Sequence, residues 1–163
     1  LTFIEKKGQI QDAKVAWIGD GNNVCQSWIQ AAHQFGFDLQ LACPPGYHPE
    51  KAVLDAANGK ARIATSPQTA ISGCDLVVTD TWFSIGRETD KEERLKAFAG
   101  YSVTDALLQT AQPDALFMHC LPAYRGIEVS AEVIDGPQSV IWEEAENRLH
   151  AQKALIEFLL EEP

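Results

Sequence analysis

The sequence predicts an α/β domain in which helices cover both faces of a doubly wound, mostly parallel sheet, a Rossmann-like three-layer sandwich. The main observation is that short apolar runs alternate with segments of helical periodicity along most of the chain. Strands that alternate with helices form βαβ units, which build parallel sheets covered on both faces. A second observation is size, because 163 residues with 45% hydrophobic side chains suffice for one domain with its own core.

Six apolar runs are predicted to be strands, and helices are predicted between most of them. The strands span residues 14–18, 39–42, 62–64, 76–79, 115–118 and 140–142. In the first long helix, Val24, Trp28, Ala31 and Phe35 recur at the spacing of one helix face. Further helices are expected over residues 50–58, from Pro67, and over 92–98, 104–110 and 144–160. Residues 1–163 are expected to form a single domain, with residues 1–12 as a lead-in helix or linker.

Composition excludes several classes of function. The formal charge at pH 7 is −10, from 13 Lys and Arg against 23 Asp and Glu, which argues against binding nucleic acid or an anionic membrane. The four cysteines form no C-x-x-C pair, so free thiols in a reducing compartment are expected. The sequence shows no signal-peptide pattern and no membrane-length apolar run. We therefore expect a cytoplasmic protein with no metal and no cofactor.

Polar groups collect in the segments that follow predicted strands. Ligands of open parallel sheets bind beyond the carboxyl ends of the strands. The segments at these positions are 19–23, 43–49, 80–87, 119–126 and 143–148, and four of the five are rich in polar groups. This edge of the sheet is therefore the predicted location of a site.

The segment GDGNN, residues 19–23, contains the first two glycines of a dinucleotide-binding fingerprint. Its third glycine position is Val24, and the second strand ends in Cys43-Pro44 rather than in an acidic residue that would hold a ribose. A dinucleotide site is therefore disfavoured. Two compatible interpretations stay open: a tight turn with an asparagine N-cap, and a helix N-terminus that offers amides to a carboxylate, helped by Asn23.

Two further segments contain candidate site residues. In DTWFSIG, residues 80–86, Asp80 ends a strand, where a carboxylate can bind the ammonium group of a ligand, and Ser84 follows four residues later. Helix capping is the alternative for both. In EEAENR, residues 143–148, Arg148 is expected within about the first turn of a helix, where a cation is unfavourable. Either an anionic ligand or a neighbouring carboxylate would explain it.

The segment HCLP, residues 119–122, places His119 and Cys120 at the end of a predicted strand. Neighbouring residues of an extended strand point to opposite faces. A metal ion shared by the two residues and a Cys–His dyad are therefore both disfavoured. We expect each residue to serve a different part of a site, or one of them to belong to the core.

Taken together, GDGNN, DTWFSIG, HCLP and AENR resemble ornithine carbamoyltransferases in their order and spacing. KAFAGY at residues 96–101 and the segment 135–154 are also similar to bacterial members. The resemblance covers essentially the whole chain, but only the ornithine-binding half of those enzymes. Their N-terminal half, which binds carbamoyl phosphate through a Ser-Thr-Arg-Thr-Arg loop, has no counterpart in the sequence. The chain also starts at Leu1 rather than Met, so we expect a piece of a longer enzyme.

The resemblance implies the reaction and its participants. The neutral δ-amine of L-ornithine would attack carbamoyl phosphate directly, giving citrulline and phosphate, in a homotrimer that has its active site between the two halves. Alone, this chain would be catalytically inert or nearly so. A carbamoyltransferase for putrescine or acetylornithine, and a non-catalytic amino-acid-binding domain on the same fold, are the alternatives.

Roles in ornithine binding follow from the same resemblance. Asp80 would pair with the α-ammonium group, while Asn23 and Ser84 would help to hold the α-amino and carboxylate groups. Ile85 stands where the family usually has Met, and would offer its backbone amide. The carbonyl of Leu121 would also face the ornithine.

Roles in the transfer step are implied as well. Cys120 would be the cysteine beside the reacting amine, positioning it without becoming a covalent nucleophile. Arg148 and His119 would contact the carbamoyl group or the phosphate.

Overall fold

A single sheet of five parallel strands lies at the centre of the computed structural model, which describes residues 1–83 and 91–161. The strands are β1 (Lys14–Ile18), β2 (Asp38–Ala42), β3 (Ala61–Ile63), β4 (Leu76–Thr79) and β5 (Leu116–His119). Their order is β3-β2-β1-β4-β5, and every neighbouring pair is parallel. The predicted fold class is therefore confirmed.

Helices lie between the strands along the described part of the chain. They are α1 (Thr2–Lys7), α2 (Asn23–Phe35), α3 (Lys51–Ala56), α4 (Pro67–Ile71), α5 (Lys91–Ala97), α6 (Asp105–Leu108), α7 (Ala131–Ile134) and α8 (Ile141–Leu160). The short helix α7 was not predicted. Among the described residues, neither α8 nor any shorter helix has the length and apolarity needed to cross a membrane.

Alternation along the strands produces a core on each face of the sheet. Val15 and Trp17 of β1 pack with α1 and α2 on one side, whereas Ala16 and Ile18 belong to the core on the opposite side. All four side chains are fully buried. Successive side chains of a strand point to opposite faces, so a central strand covered on both sides reads as one continuous apolar run.

The sixth predicted strand, residues 140–142, is wrong. A single parallel bridge joins Phe117 of β5 to Ser139, through a bond from the Phe117 N–H to Gln138 O at 2.8 Å and one from the Val140 N–H to Phe117 O at 3.0 Å. Helix α8 then begins at Ile141. The apolar run 140–142 reflects burial of Val140 and Ile141 against the sheet, and periodicity cannot distinguish a short buried strand from the first turn of a buried helix.

The predicted lead-in segment packs against α8. Phe3 is buried in the core, the Asn147 side chain donates a hydrogen bond to Thr2 Oγ1 at 2.8 Å, and Lys6 pairs with Glu143 at 2.7 Å. Along α8, apolar side chains are exposed, including Trp142 at 64% and Phe158 at 72%. The others are Leu149, Leu155, Ile156, Leu159 and Leu160. We call these seven residues the exposed apolar residues of α8.

Gly21 explains part of the GDGNN pattern without a ligand. Its N–H donates to Tyr47 O at 2.8 Å, and a Cβ at this position would lie 2.2 Å from Pro49 N. In dinucleotide-binding folds the second glycine allows the backbone to approach a pyrophosphate. Here the segment that follows β2 occupies that space, in agreement with the sequence argument against a dinucleotide.

We predict that Gly21→Ala destabilises the domain by ~3 kcal/mol, because a rigid backbone rather than a flexible side chain would have to move. Denaturant unfolding measures this change. Gly46→Ala is the matched control, because Gly46 has a positive φ of 87° but open space around its Cβ position, and we expect a loss of only ~1 kcal/mol. Equal losses in the two variants would contradict the steric explanation.

Candidate functional site

The strand order reverses at β1, which lies between β2 and β4. In doubly wound sheets the crevice at such a switch point, beyond the carboxyl ends of the strands, is where ligands bind. The segments that leave β1, β4 and β5 at this edge are residues 19–22, 80–83 and 119–122. They carry four of the eight predicted site residues, Asp80, His119, Cys120 and Leu121.

Asp80 joins these three segments. Its carboxylate is 7% exposed. Oδ1 accepts bonds from the Thr81 N–H at 2.8 Å and from the Cys120 thiol at 3.3 Å, and Oδ2 accepts one from Asn22 Nδ2 at 3.1 Å. Because a buried carboxylate needs such partners, Asp80 holds Asn22 and Cys120 together at the centre of the site.

Asn22 makes the contacts at the start of α2, and the predicted contact of Asn23 with a ligand stays a prediction. The Asn22 side chain accepts bonds from the N–H groups of Val24 and Cys25, both at 3.0 Å, so it is the N-cap. Asn23 is exposed in the first position of the helix. Two first-turn amides are thus already bonded within the chain, which weakens the idea that they bind a ligand carboxylate. The helix-start pattern made an asparagine cap predictable, but not the bond from that cap to Asp80.

Cys120 is a protonated thiol at neutral pH. Burial, the neighbouring Asp80 carboxylate and the charge of Glu144 raise the pKa of this half-buried thiol to about 12. A thiol with a raised pKa is a poor nucleophile. The geometry therefore suits a side chain that positions a reacting group and does not attack it.

The His119 side chain is fully buried. Its Nδ1 accepts a bond from the Leu121 N–H at 3.0 Å. Nε2 lies 3.3 Å from Oε1 of the fully buried Glu128, outside hydrogen-bond geometry. The predicted contact of His119 with the carbamoyl group or the phosphate stays a prediction. Glu128, which also accepts a bond from the Tyr124 N–H, was not identified from the sequence.

The turn after β5 changes the geometry assumed for neighbouring residues. Leu121 has a left-handed φ of 57°, and the Leu121–Pro122 bond is cis. One ligand atom from each of Asp80, His119 and Cys120 lies within 4.8 Å of the other two. The sequence argument that His119 and Cys120 must point apart is therefore wrong. The expectation of no metal stays a prediction.

Glu144 and Arg148 lie on α8 at the edge of the site. Glu144 Oε2 accepts a bond from the His119 N–H at 2.9 Å. Burial raises the pKa of Glu144 to about 7, while the His119 N–H, His119 and Arg148 lower it and Asp80 raises it. Arg148 is exposed in the third turn of α8, because the helix begins three residues earlier than predicted. The expected unfavourable first-turn position of Arg148 is thus wrong, and Glu144 is the neighbouring carboxylate.

Arg94 of α5 connects the segments around the site, a role that its position in a charged helix did not indicate. Its Nη1 donates to Asp20 Oδ2 at 2.6 Å and to Trp82 O at 2.9 Å. Its guanidinium also lies over the Tyr47 ring, 4.9 Å from the centroid. The remaining candidates, Ser84 and Ile85, fall outside the described residues, and their predicted roles stay predictions.

A five-stranded doubly wound sheet with a buried carboxylate and thiol at its switch point defines an α/β ligand-binding domain. Residues 11–159 match the family described as aspartate/ornithine carbamoyltransferase, Asp/Orn binding domain. The chain belongs to this family.

Individual relatives give the same result. The chain is 60% identical to the ornithine carbamoyltransferase of Nitrosococcus oceani over 159 residues, which are 98% of this chain and 52% of that protein. The crystal structure of ornithine carbamoyltransferase from Burkholderia thailandensis superposes with a TM-score of 0.87 at 49% identity, covering 98% of this chain and 51% of that one. An N-acetyl-L-ornithine transcarbamylase structure has a TM-score of 0.83 at 25% identity, covering 98% and 53%. The chain thus spans about half the length of the relatives it matches.

We predict that Arg94→Ala lowers the free energy of unfolding by ~2 kcal/mol, since it leaves the partly buried Asp20 carboxylate and the Trp82 carbonyl without their donor. Chemical denaturation monitored by tryptophan fluorescence checks this. Arg125→Ala is the control, because Arg125 forms an exposed pair with Asp135, and exposed pairs contribute little. A similar loss in both variants would contradict a special role for Arg94.

We also predict that Glu144→Gln stabilises the domain at alkaline pH. Since the pKa of Glu144 rises from 4.5 unfolded to about 7 folded, the folded state binds more protons between these values, and the unfolding free energy falls as pH rises through this range. A neutral Gln avoids that loss. The variant should gain roughly 2–3 kcal/mol at pH 8 and less than ~1 kcal/mol at pH 5. Urea unfolding at the two pH values measures the difference, and a gain independent of pH would contradict the assignment.

Proposed function

We propose that this chain is the ornithine-binding half of an ornithine carbamoyltransferase, which transfers the carbamoyl group of carbamoyl phosphate to L-ornithine. The observation that carries the proposal is the buried Asp80 carboxylate at the switch point, bonded to Asn22 and to the Cys120 thiol. Family membership and relatives that carry this activity in their names support it.

Asp80 binds the α-ammonium group of ornithine in this proposal. A carboxylate with few solvent contacts attracts a cation more strongly than an exposed one, and Asp80 is 7% exposed. Asn23, exposed at the start of α2, together with Ser84 and the Ile85 amide, holds the α-amino and carboxylate groups. This arrangement selects an amino acid over putrescine, which has no α-substituents.

The transfer is direct. The neutral δ-amine attacks the carbonyl carbon, the new C–N bond forms, the C–O bond to phosphate breaks, and the amine proton leaves with the phosphate. Cys120 stays a thiol because its pKa is raised, and with the Leu121 carbonyl it orients the amine. Orientation of two bound reactants is itself a large part of such a rate enhancement.

Arg148 supplies positive charge to the transfer step. It is exposed on α8 one turn beyond Glu144, and a guanidinium is well suited to an oxyanion or phosphate. We assign His119 a positioning role in addition to its predicted contact with the carbamoyl group or the phosphate. Its ring holds the Leu121 N–H and so shapes the turn that presents Cys120.

Carbamoyl phosphate needs a second half of the enzyme. The chain carries a formal charge of −10 and its site contains the Asp80 and Glu144 carboxylates, which suits a cationic amino acid better than a dianion. Relatives are about twice as long. The exposed apolar residues of α8 offer a surface against which another part of the protein could pack. We propose that the remaining half binds carbamoyl phosphate, and that the complete protein is a cytoplasmic homotrimer.

N-acetylornithine is the main competing substrate. Acetylation removes the α-ammonium charge that Asp80 would bind, and the N-acetyl-L-ornithine transcarbamylase is only 25% identical, against 49% to 60% for the ornithine carbamoyltransferases reported above. A non-catalytic amino-acid-binding domain is a further alternative, which the assay below also tests.

We predict that a chimera of the N-terminal half of the Nitrosococcus oceani relative with this chain forms citrulline from ornithine, and that the 163-residue chain alone does not. Asp80→Asn in the chimera should lower kcat/KM for ornithine ~100-fold, through loss of a buried ion pair. Asp135→Asn removes an exposed carboxylate and should leave activity unchanged.

A chimera that is folded but inactive would overturn the proposal, and so would robust turnover by the isolated chain. Preference for N-acetylornithine or putrescine in the chimera would assign one of the other substrates. Undiminished activity of the Asp80→Asn variant would remove Asp80 from the site.

A further inference from the structure

We propose that Glu144 is a positioning residue for carbamoyl transfer, whose ionised carboxylate holds the end of β5 and thereby places Cys120 opposite Asp80. This inference rests on the proposed function. It concerns a residue that does not touch the substrate and that the sequence patterns did not distinguish from its glutamate neighbours Glu143 and Glu146.

Glu144 occupies a special place because β5 lies at the edge of the described sheet. Outward N–H groups of an edge strand have no strand partner. The Phe117 N–H bonds to the backbone of Gln138 at 2.8 Å. Opposite His119, two residues farther along β5, the partner segment has already become helix α8. The His119 N–H therefore bonds to the side chain of Glu144, at 2.9 Å. A side chain thus replaces the backbone partner at the point where the strand meets the site.

A purely structural role does not require a carboxylate here. A glutamine at this position would accept the same bond from His119 without a charge to bury. The raised pKa of Glu144 means that its ionised form lowers the stability of the fold above neutral pH. Perturbed carboxyl groups of this kind cluster at functional sites. The ionised Glu144 carboxylate lowers stability and yet bonds to the strand end beside Cys120, so we infer that its charge has a function in the site.

The groups around Glu144 show what the charge does. Asp80 from the segment after β4, His119 and Cys120 from β5 and its turn, and Arg148 from α8 all interact with it. The Glu144 charge adds to burial and to Asp80 in raising the pKa of the Cys120 thiol, which donates its proton to Asp80. The same charge attracts Arg148 and strengthens the bond from His119, because charge-assisted bonds are stronger than neutral ones.

Protonation of Glu144 should therefore weaken the arrangement. Above about pH 7 the carboxylate is ionised, and Cys120 and Arg148 are held in place. Below that pH the neutral acid still accepts a bond from His119, but without its charge. The site is then expected to work best on the alkaline side of neutrality.

NMR on the 163-residue chain tests whether Glu144 controls the end of β5. The amide shifts of His119 and Cys120 should move with an inflection near pH 7 in the wild type and lose it in Glu144→Gln. Glu143→Gln is the matched control, because Glu143 is the adjacent glutamate and pairs at the surface with Lys6, and it should keep the inflection. An inflection that persists in Glu144→Gln, or is missing from the wild type, would overturn the inference.

Kinetics of the chimera test the role in transfer. At pH 8, Glu144→Gln should lower kcat about tenfold, the loss of roughly one charge-assisted contact, with KM for ornithine changed less than ~2-fold. At pH 6 the wild-type carboxyl is mostly protonated, so the two enzymes should become nearly equal. A ratio that does not vary with pH would show a merely structural role.

The two experiments separate the failures. If the wild-type chimera makes no citrulline, the proposed function fails, whatever the NMR titration shows. If the chimera is active but Glu144→Gln behaves like Glu143→Gln at every pH, only the positioning role fails.

Discussion

The bond network of the Asp80 carboxylate is the contact on which the arrangement of the site depends. Parallel strands bring their carboxyl ends to one edge but do not determine how the segments beyond them meet. Here the two oxygens of Asp80 bond to Asn22 beyond β1 and to Cys120 beyond β5. Because Asn22 is also the N-cap of α2, the same carboxylate determines where that helix begins relative to the thiol. A buried carboxylate without these donors would be strongly unfavourable, so each partner constrains the others.

A second layer of side chains supports this network from outside the crevice. Glu144 and Glu128 hold the two ends of the turn that starts at His119, because Glu144 accepts a bond from the His119 N–H and Glu128 accepts one from the Tyr124 N–H. Arg94 holds the segments that follow β1 and β4. None of the three needs to touch a ligand. In the proposed enzyme, their contacts keep Asp80 and Cys120 in place before ornithine binds, a form of preorganisation that lowers barriers in transfer reactions.

The balance of charge also explains how the work is divided in the proposed enzyme. Asp80 and Glu144 make this side of the crevice acidic, which favours the ammonium group of an amino acid and opposes a dianion. Arg148 lies at the rim and faces outward on α8. In the proposed enzyme, carbamoyl phosphate binds to the other half of the protein, across the crevice. The negative charge that binds the ammonium group and the positive charge that binds the phosphate are then on different halves.

The sequence by itself determined the fold class, the positions of β1 and β4 without error and those of three further strands to within one residue, because apolar periodicity reports burial directly. It also placed Asp80 and Cys120 at the ends of strands, and their roles in a site stay predictions. Tertiary structure alone decided that residues 140–142 open a helix, that Asn22 rather than Asn23 bonds to Asp80, and that His119 faces Glu128. Burial follows a local pattern along the chain, so the sequence can predict it. The hydrogen-bond partner of a polar side chain depends on which distant segments the fold brings together, and local spacing does not predict that.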